Sequence, residues 1–202
     1  MSEEKEVKNK KGWKIVSKVL TSILLVCLVC FFFIRIYLNS NYVCRFISGS
    51  SMEPTFSGSA GEYEYLYMKK VKDKTKIQRF DIVAVHINKD SSGQYLDWIK
   101  RVIGLPNETI KYQQGQLYVN DVLMQENFIH KNYFHAFDYE VTLNENQYFI
   151  IGDNRKDSTK AVVERTQIYG INGFIFKTCN QGNKMGSGIF EKGCKITYKK
   201  IN

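Results

Sequence analysis

The sequence predicts a mostly β, antiparallel domain behind one N-terminal membrane-spanning helix. Three observations carry this reading. Residues 19–34 contain no charged side chain and lie between a lysine-rich segment and Arg35. Aromatic residues make up 14% of the chain, a bias toward strands. Beyond residue 40 the chain is a series of short runs rich in Val, Ile, Tyr and Phe, separated by turn residues, with no amphipathic helix of any length. The 202 residues suit one domain of ordinary size plus an appendage, and a hydrophobic content of 44% is enough for a core.

The first element is the anchor. Residues 1–14 form a basic tail, and a span over residues 15–38 has Trp13 and Tyr37 near its ends, with Lys18 and Arg35 able to reach the headgroups. A cleavable leader would need small residues after the apolar run, but Arg35-Ile36-Tyr37-Leu38 follows, so an uncleaved anchor is expected. Six lysines precede the uncharged core 19–34, and only Arg35 and Arg45 lie close behind it. That asymmetry predicts a cytoplasmic N-terminus and an extracytoplasmic domain over residues 39–202.

Strands are expected at residues 63–68, 81–87, 96–103, 109–113, 116–119, 139–143, 147–151 and 173–177, with tight turns at Gln113-Gln114-Gly115-Gln116 and Asn120-Asp121. The net charge of +9 divides into +4 for residues 1–40 and +5 for the rest. So diffuse an excess fits a solvated surface near anionic lipid and gives no reason to expect nucleic-acid binding. Cysteine spacings fit no zinc site. Cys179 and Cys194 flank a glycine-rich stretch, and both a disulfide and two free thiols stay open for them.

Four segments carry candidate chemistry. Ser48-Gly49-Ser50-Ser51-Met52-Glu53-Pro54 has the small residues that permit close approach to a ligand. In the strand Leu96–Ile103, Trp98, Lys100 and Val102 share one face. A lysine held between apolar neighbours loses charge readily, and a neutral amine is what a general base requires. The bland reading is an edge lysine whose stem covers Trp98 while its ammonium stays in water. At Gly152-Asp153-Asn154-Arg155, an apolar strand enters a polar turn in which Asp153 has Arg101 or Arg155 as a partner and Ser158 can hold the lysine. Arg79-Phe80-Asp81-Ile82-Val83 reads as structural. None of the three histidines, His86, His130 and His135, lies in a recognisable nucleophile or zinc motif.

These four segments, in this order behind an anchor, resemble the type I signal peptidases, closest to the short Gram-positive form. The resemblance covers about residues 15–175 and implies an all-β domain of coiled antiparallel sheets. It implies Ser51 as nucleophile, Lys100 as general base and Ser158 as the residue holding the amine. Met52 would pack beside the nucleophile, Arg101 and Asp153 would form a supporting pair, and the Ser51 N–H would stabilise the oxyanion. No metal or cofactor is implied. The partners would be signal peptides of preproteins, bound as an extended strand with small side chains in the pockets, and membrane lipid. Two departures stand out. Gly49 occupies a position where some members carry a serine that supplies a second oxyanion donor, leaving Ser48 or Ser50 to reach. After Ser158 the usual Asp-Ser-Arg is absent, and Glu164 and Arg165 are the available substitutes. The alternative function is a non-catalytic assembly factor on the same fold, such as a pilin chaperone. Tyr63, Tyr65, Leu66, Tyr67 and Phe56 leave two readings open, an apolar surface resting on the membrane or core packing.

Overall fold

The computed structural model describes residues 2–56, 62–89, 93, 95–179 and 197–201. They fall into two units, residues 1–41 and 42–202. The first is a single helix, α1, Ser2–Asn41, longer at both ends than residues 15–38. Its portion Trp13–Asn41 is long and apolar enough to cross a membrane. The hydroxyls of Thr21 and Ser22 both donate to the Lys18 carbonyl at 2.9 Å, so they bring no unsatisfied polar group into the apolar run. Cys27, Cys30 and Cys44 are free thiols. Cys194 lies outside the described residues, and with it the question of its pairing with Cys179.

The second unit is built from antiparallel strands: β1 Tyr42–Ile47, β2 Glu62–Lys70, β3 Ile82–Lys89, β4 Tyr95–Gly104, β5 Thr109–Gln113, β6 Gln116–Val119, β7 Val122–Met124, β8 Tyr139–Thr142, β9 Gln147–Ile151, β10 Ala161–Glu164, β11 Ile168–Cys179 and β12 Thr197–Ile201. The larger sheet runs β1-β2-β11-β3-β4-β9-β10, with β12 added along β11, and the smaller runs β7-β6-β5-β8. β1, β7, β10 and β12 were not among the strands expected from the sequence. The tight turns were: Gln114, Asn120 and Asp121 all take positive φ.

The strand β3 shows why the larger sheet is the centre of the unit. Ile82 and Ala84 enter one apolar cluster with Met52, Phe56, Leu66 and Met68, while Val83 and Val85 enter another with Val102, Ile150 and Ile168. A strand buried on both faces reads as an unbroken apolar run, as Ile82-Val83-Ala84-Val85 does. β9 also has two buried faces: Tyr148 and Ile150 pack with Val102, and Phe149 and Ile151 pack with Ile103, Ile110 and Tyr112 beneath the smaller sheet. The aromatic cluster left open by the sequence divides. Phe56 and Leu66 are fully buried, whereas Tyr65 and Tyr67 are exposed.

Candidate active site

The loop after β1 carries Ser51. Met52 and Phe56, 3% and 0% exposed, pin it to the core beside Ile47 and Leu66. Burying a side chain such as Phe56 contributes about 2–3 kcal/mol, so the loop is anchored immediately after the serine. Two short turns, from Glu53 N–H to the Ser50 carbonyl and from Phe56 N–H to the Met52 carbonyl, both 3.0 Å, fix its path. Gly49 has φ +93°, a conformation that strains any side chain. This gives a physical reason for glycine where a serine donor would otherwise stand.

The turn after β9 clasps this loop. Asn154 N–H donates to the Ser51 carbonyl at 3.1 Å, and Asn154 Nδ2 donates to the Ser50 carbonyl at 3.1 Å. The approach is so close that a Cβ on Gly152 would lie 2.1 Å from the Ser51 carbonyl oxygen and 2.5 Å from Ser158 Oγ. Glycine is required there for want of space. Ser158 Oγ accepts the Gly152 N–H at 2.7 Å.

Lys100 comes from β4. It is 5% exposed, which corrects the reading of an edge lysine with its ammonium in water. Its Nζ donates to Ser158 Oγ at 3.3 Å and lies 5.5 Å from the Trp98 ring centre. Burial lowers the pKa of the amine to about 8, against the opposing pull of the Asp157 and Asp153 carboxylates. The Ser51 N–H donates to no acceptor among the described residues. Ser51, Lys100 and Gly49 line one cavity of about 340 Å³, together with Met52, Trp98 and Asp157. On its side away from β3, β4 pairs with β9 only from Arg101 onward, so the cavity borders a stretch, residues 97–100, that has no strand partner on that side among the described residues.

Two buried ion pairs brace the turn after β9. Arg101 grips Asp153 through two bonds, Nε to Oδ1 at 2.8 Å and Nη2 to Oδ2 at 2.6 Å, and also donates to the Phe80 carbonyl at 2.8 Å. Thr55 Oγ1 donates to the same carboxylate, tying in the nucleophile loop. Of the two partners open to Asp153, the fold selects Arg101. Arg155 instead pairs with Glu126 at 2.5 Å, donates to Tyr112 Oη at 3.0 Å and to the Gly152 carbonyl at 3.1 Å. Glu126, Asn154 and Asp157 were not singled out from the sequence. Glu126 lies in an irregular stretch, and no sequence pattern pointed to its partner Arg155.

Three further groups answer questions the sequence left open. The Ser50 hydroxyl donates to Asp157 Oδ2, so its proton is directed away from an oxyanion role. Glu164 bonds Gln147 at 3.1 Å, and Arg165 donates to the Thr75 carbonyl at 2.8 Å, so the two do not replace the absent ion pair. The segment after Ser158 instead forms β10 on β9. His86 Nδ1 lies 2.6 Å from Asp97, but His86 does not line the cavity that holds Ser51.

A serine whose amide donor is uncommitted thus lines a cavity with a desolvated lysine held by a second serine. The family model described as signal peptidase, peptidase S26, matches residues 15–176, a range that contains every one of these residues. Signal peptidase I U of Bacillus subtilis is 34% identical over 163 residues, 76% of this chain and 81% of that protein. Signal peptidase I of Bacillus licheniformis is 27% identical over 199 residues, 91% of this chain and 99% of that protein. A solved signal peptidase I from Enterococcus faecalis is 31% identical, covers 48% of this chain and 97% of its own, and overlaps with a TM-score of 0.41. By a family match over residues 15–176, and by a Bacillus relative 34% identical over 81% of its own length, this chain belongs to the signal peptidase family, peptidase S26.

Proposed function

We propose that Ser51 and Lys100 form the catalytic dyad with which this membrane-anchored serine peptidase removes signal peptides from preproteins. The observation that carries the assignment is the near-complete burial of Lys100 on the wall of the cavity that Ser51 also lines. A buried amine with a pKa of about 8 has a neutral fraction near neutral pH that an exposed lysine lacks.

In this mechanism neutral Lys100 takes the proton of Ser51 Oγ as the oxygen attacks the scissile carbonyl carbon. The Ser51 N–H donates to the oxyanion, a bond worth about 3–4 kcal/mol in such sites. Collapse of the tetrahedral intermediate breaks the C–N bond, and Lys100 returns its proton to the departing amine, the new N-terminus of the mature protein. The signal peptide is left as an ester on Ser51. Water, deprotonated by Lys100, then hydrolyses the ester. Ser158 holds Nζ during both proton transfers. In the structure Nζ bonds Ser158 rather than Ser51, and its approach to Ser51 tightens on substrate binding.

The edge of β4 at residues 97–100 offers backbone groups to a substrate in extended form, and the cavity beside Gly49 and Met52 takes small side chains before the cut. The basic residues 1–14 lie in the cytoplasm, residues 15–38 span the bilayer, and residues 39–202 act outside, where signal peptides emerge.

The test is cleavage of a purified preprotein by the full chain in detergent, beside Ser51→Ala and Lys100→Ala. Wild type cleaves after a small residue, and each variant loses at least about 10³-fold in kcat. Activity surviving in Lys100→Ala would remove the dyad. Failure of folded wild type on several preproteins would favour the assembly-factor alternative.

A further inference from the structure

Asp157 is an exposed carboxylate with a defined partner at the centre of the site. It accepts the hydroxyl proton of Ser50, the residue before the nucleophile, and it precedes Ser158, which holds Lys100. Two consecutive residues, Asp157 and Ser158, are therefore bonded to the neighbour of Ser51 and to the base. The other links between these loops, from Asn154 to the Ser50 and Ser51 carbonyls and from Thr55 to Asp153, lie earlier in the turn, whose Asp157–Ser158 end is held within the turn by Asp157 N–H to the Asn154 carbonyl and Gly152 N–H to Ser158 Oγ.

The charges around Lys100 are unequally engaged. Asp153 is held bidentate by Arg101. Asp97, on the same cavity wall, has Arg45 at 2.9 Å and His86 at 2.6 Å. Asp157 also lines the cavity and makes no salt bridge among the described residues. The face of Trp98 beside the amine brings no charge.

We propose that Asp157 is a positioning residue for peptide-bond cleavage: through Ser50 it sets the Ser51 loop against the turn that carries Ser158, and its carboxylate is the unneutralised charge that faces Lys100 across the cavity. The proposal rests on the Ser51/Lys100 reading. Its two parts separate chemically. Asn at 157 keeps an acceptor for Ser50 and removes the charge. Ala at 50 removes the bond and keeps the charge. A carboxylate near an amine favours the ammonium, so removing it makes Lys100 less basic, consistent with the opposing pull of Asp157 on that amine.

The experiment is the pH profile of kcat/KM for preprotein cleavage by the full chain in detergent, for wild type, Asp157→Asn, Asp157→Ala and Ser50→Ala. The Lys100 amine is titrated in the same samples by NMR with lysine-selective labelling, assigned against Lys100→Ala. In Asp157→Asn the ascending limb and the amine titration both move to lower pH. In Ser50→Ala the limb stays in place while kcat falls about tenfold, a loss typical of a misplaced reacting group, and Asp157→Ala shows both effects. A merely structural residue moves neither the limb nor the titration. Superimposable profiles and titrations in both Asp157 variants would overturn the proposal. Wild type that cleaves nothing, with the Lys100 titration still displaced in Asp157→Asn, would sink the peptidase reading and leave the Asp157–Lys100 coupling standing.

Discussion

Lys100 and Arg101 are consecutive residues of β4, 5% and 6% exposed, yet the two sides of the strand treat their charges in opposite ways. On the Arg101 side, a carboxylate accepts two bonds, the Phe80 carbonyl accepts a third, and the Phe128 ring lies 4.2 Å from the guanidinium carbon. On the Lys100 side there is one serine hydroxyl at 3.3 Å, an aromatic face, and carboxylates that act on the amine without bonding it. Equal burial therefore gives one permanent cation and one amine that releases its proton near pH 8. Arginine cannot shed its charge and must be paired; lysine can, and pairing it would spoil it as a base. Burial takes the charge from the lysine, whereas the arginine keeps its own and must be given partners.

The most damaging way to break this contrast is to leave Arg101 as poorly served as Lys100. Asp153→Ala strands a guanidinium in the interior and is expected to cost about 3–5 kcal/mol. Denaturant unfolding of the purified chain in detergent measures this directly. Replacing Arg101 and Asp153 together by Leu should cost clearly less than the single change, because no lone charge remains. Equal losses in the single and double variants would mean that packing, and not pairing, is what Asp153 supplies.

The opposite substitution sharpens the contrast from the other side. The Lys100 pKa in the fold, about 8, lies below its ordinary 10.5, so the protonated amine costs the native state. Below pH 8 both folded and unfolded chains carry the proton and the cost is present in full. Between pH 8 and 10.5 the folded chain gives up the proton while the unfolded chain keeps it, so stability rises with pH. Lys100→Met abolishes catalysis, removes that slope and is expected to raise stability at pH 7 by about 1–3 kcal/mol. Unfolding midpoints at pH 7 and pH 10 for the two proteins provide the check. A less stable Met variant would show that the lysine is better solvated than its burial implies.

What the sequence made legible follows the range of the interactions involved. The double-faced strand β3 and the turns at Asn120-Asp121 are local patterns, and the fold adopts both. The alternation of Trp98, Lys100 and Val102 placed the lysine on an apolar face, but its depth was undecidable from that pattern. The cover comes from the turn after β9, about fifty residues further on. The same holds for partner choice: Asp153 had two candidate arginines, and only the fold shows that it pairs with Arg101 while Glu126, from an irregular stretch, pairs with Arg155. Short strands such as β10 escaped notice because they are defined by pairing with β9 and not by their own composition.

The finest test of the contrast concerns the single bond that Lys100 retains. Ser158 Oγ accepts the Gly152 N–H at 2.7 Å and the lysine amine at 3.3 Å, so Ser158→Ala leaves both donors without this partner. The stability change should be small, about 1 kcal/mol, well below that of Asp153→Ala. The kinetic change should be larger than this stability loss suggests, a fall of about 10–100-fold in kcat with little change in KM, because the amine is mispositioned only for the proton transfer. Measuring both quantities on one preparation separates orientation from folding. A kcat within about twofold of wild type would mean that Trp98 and the strand itself aim the amine, and that the serine serves the Gly152 turn alone.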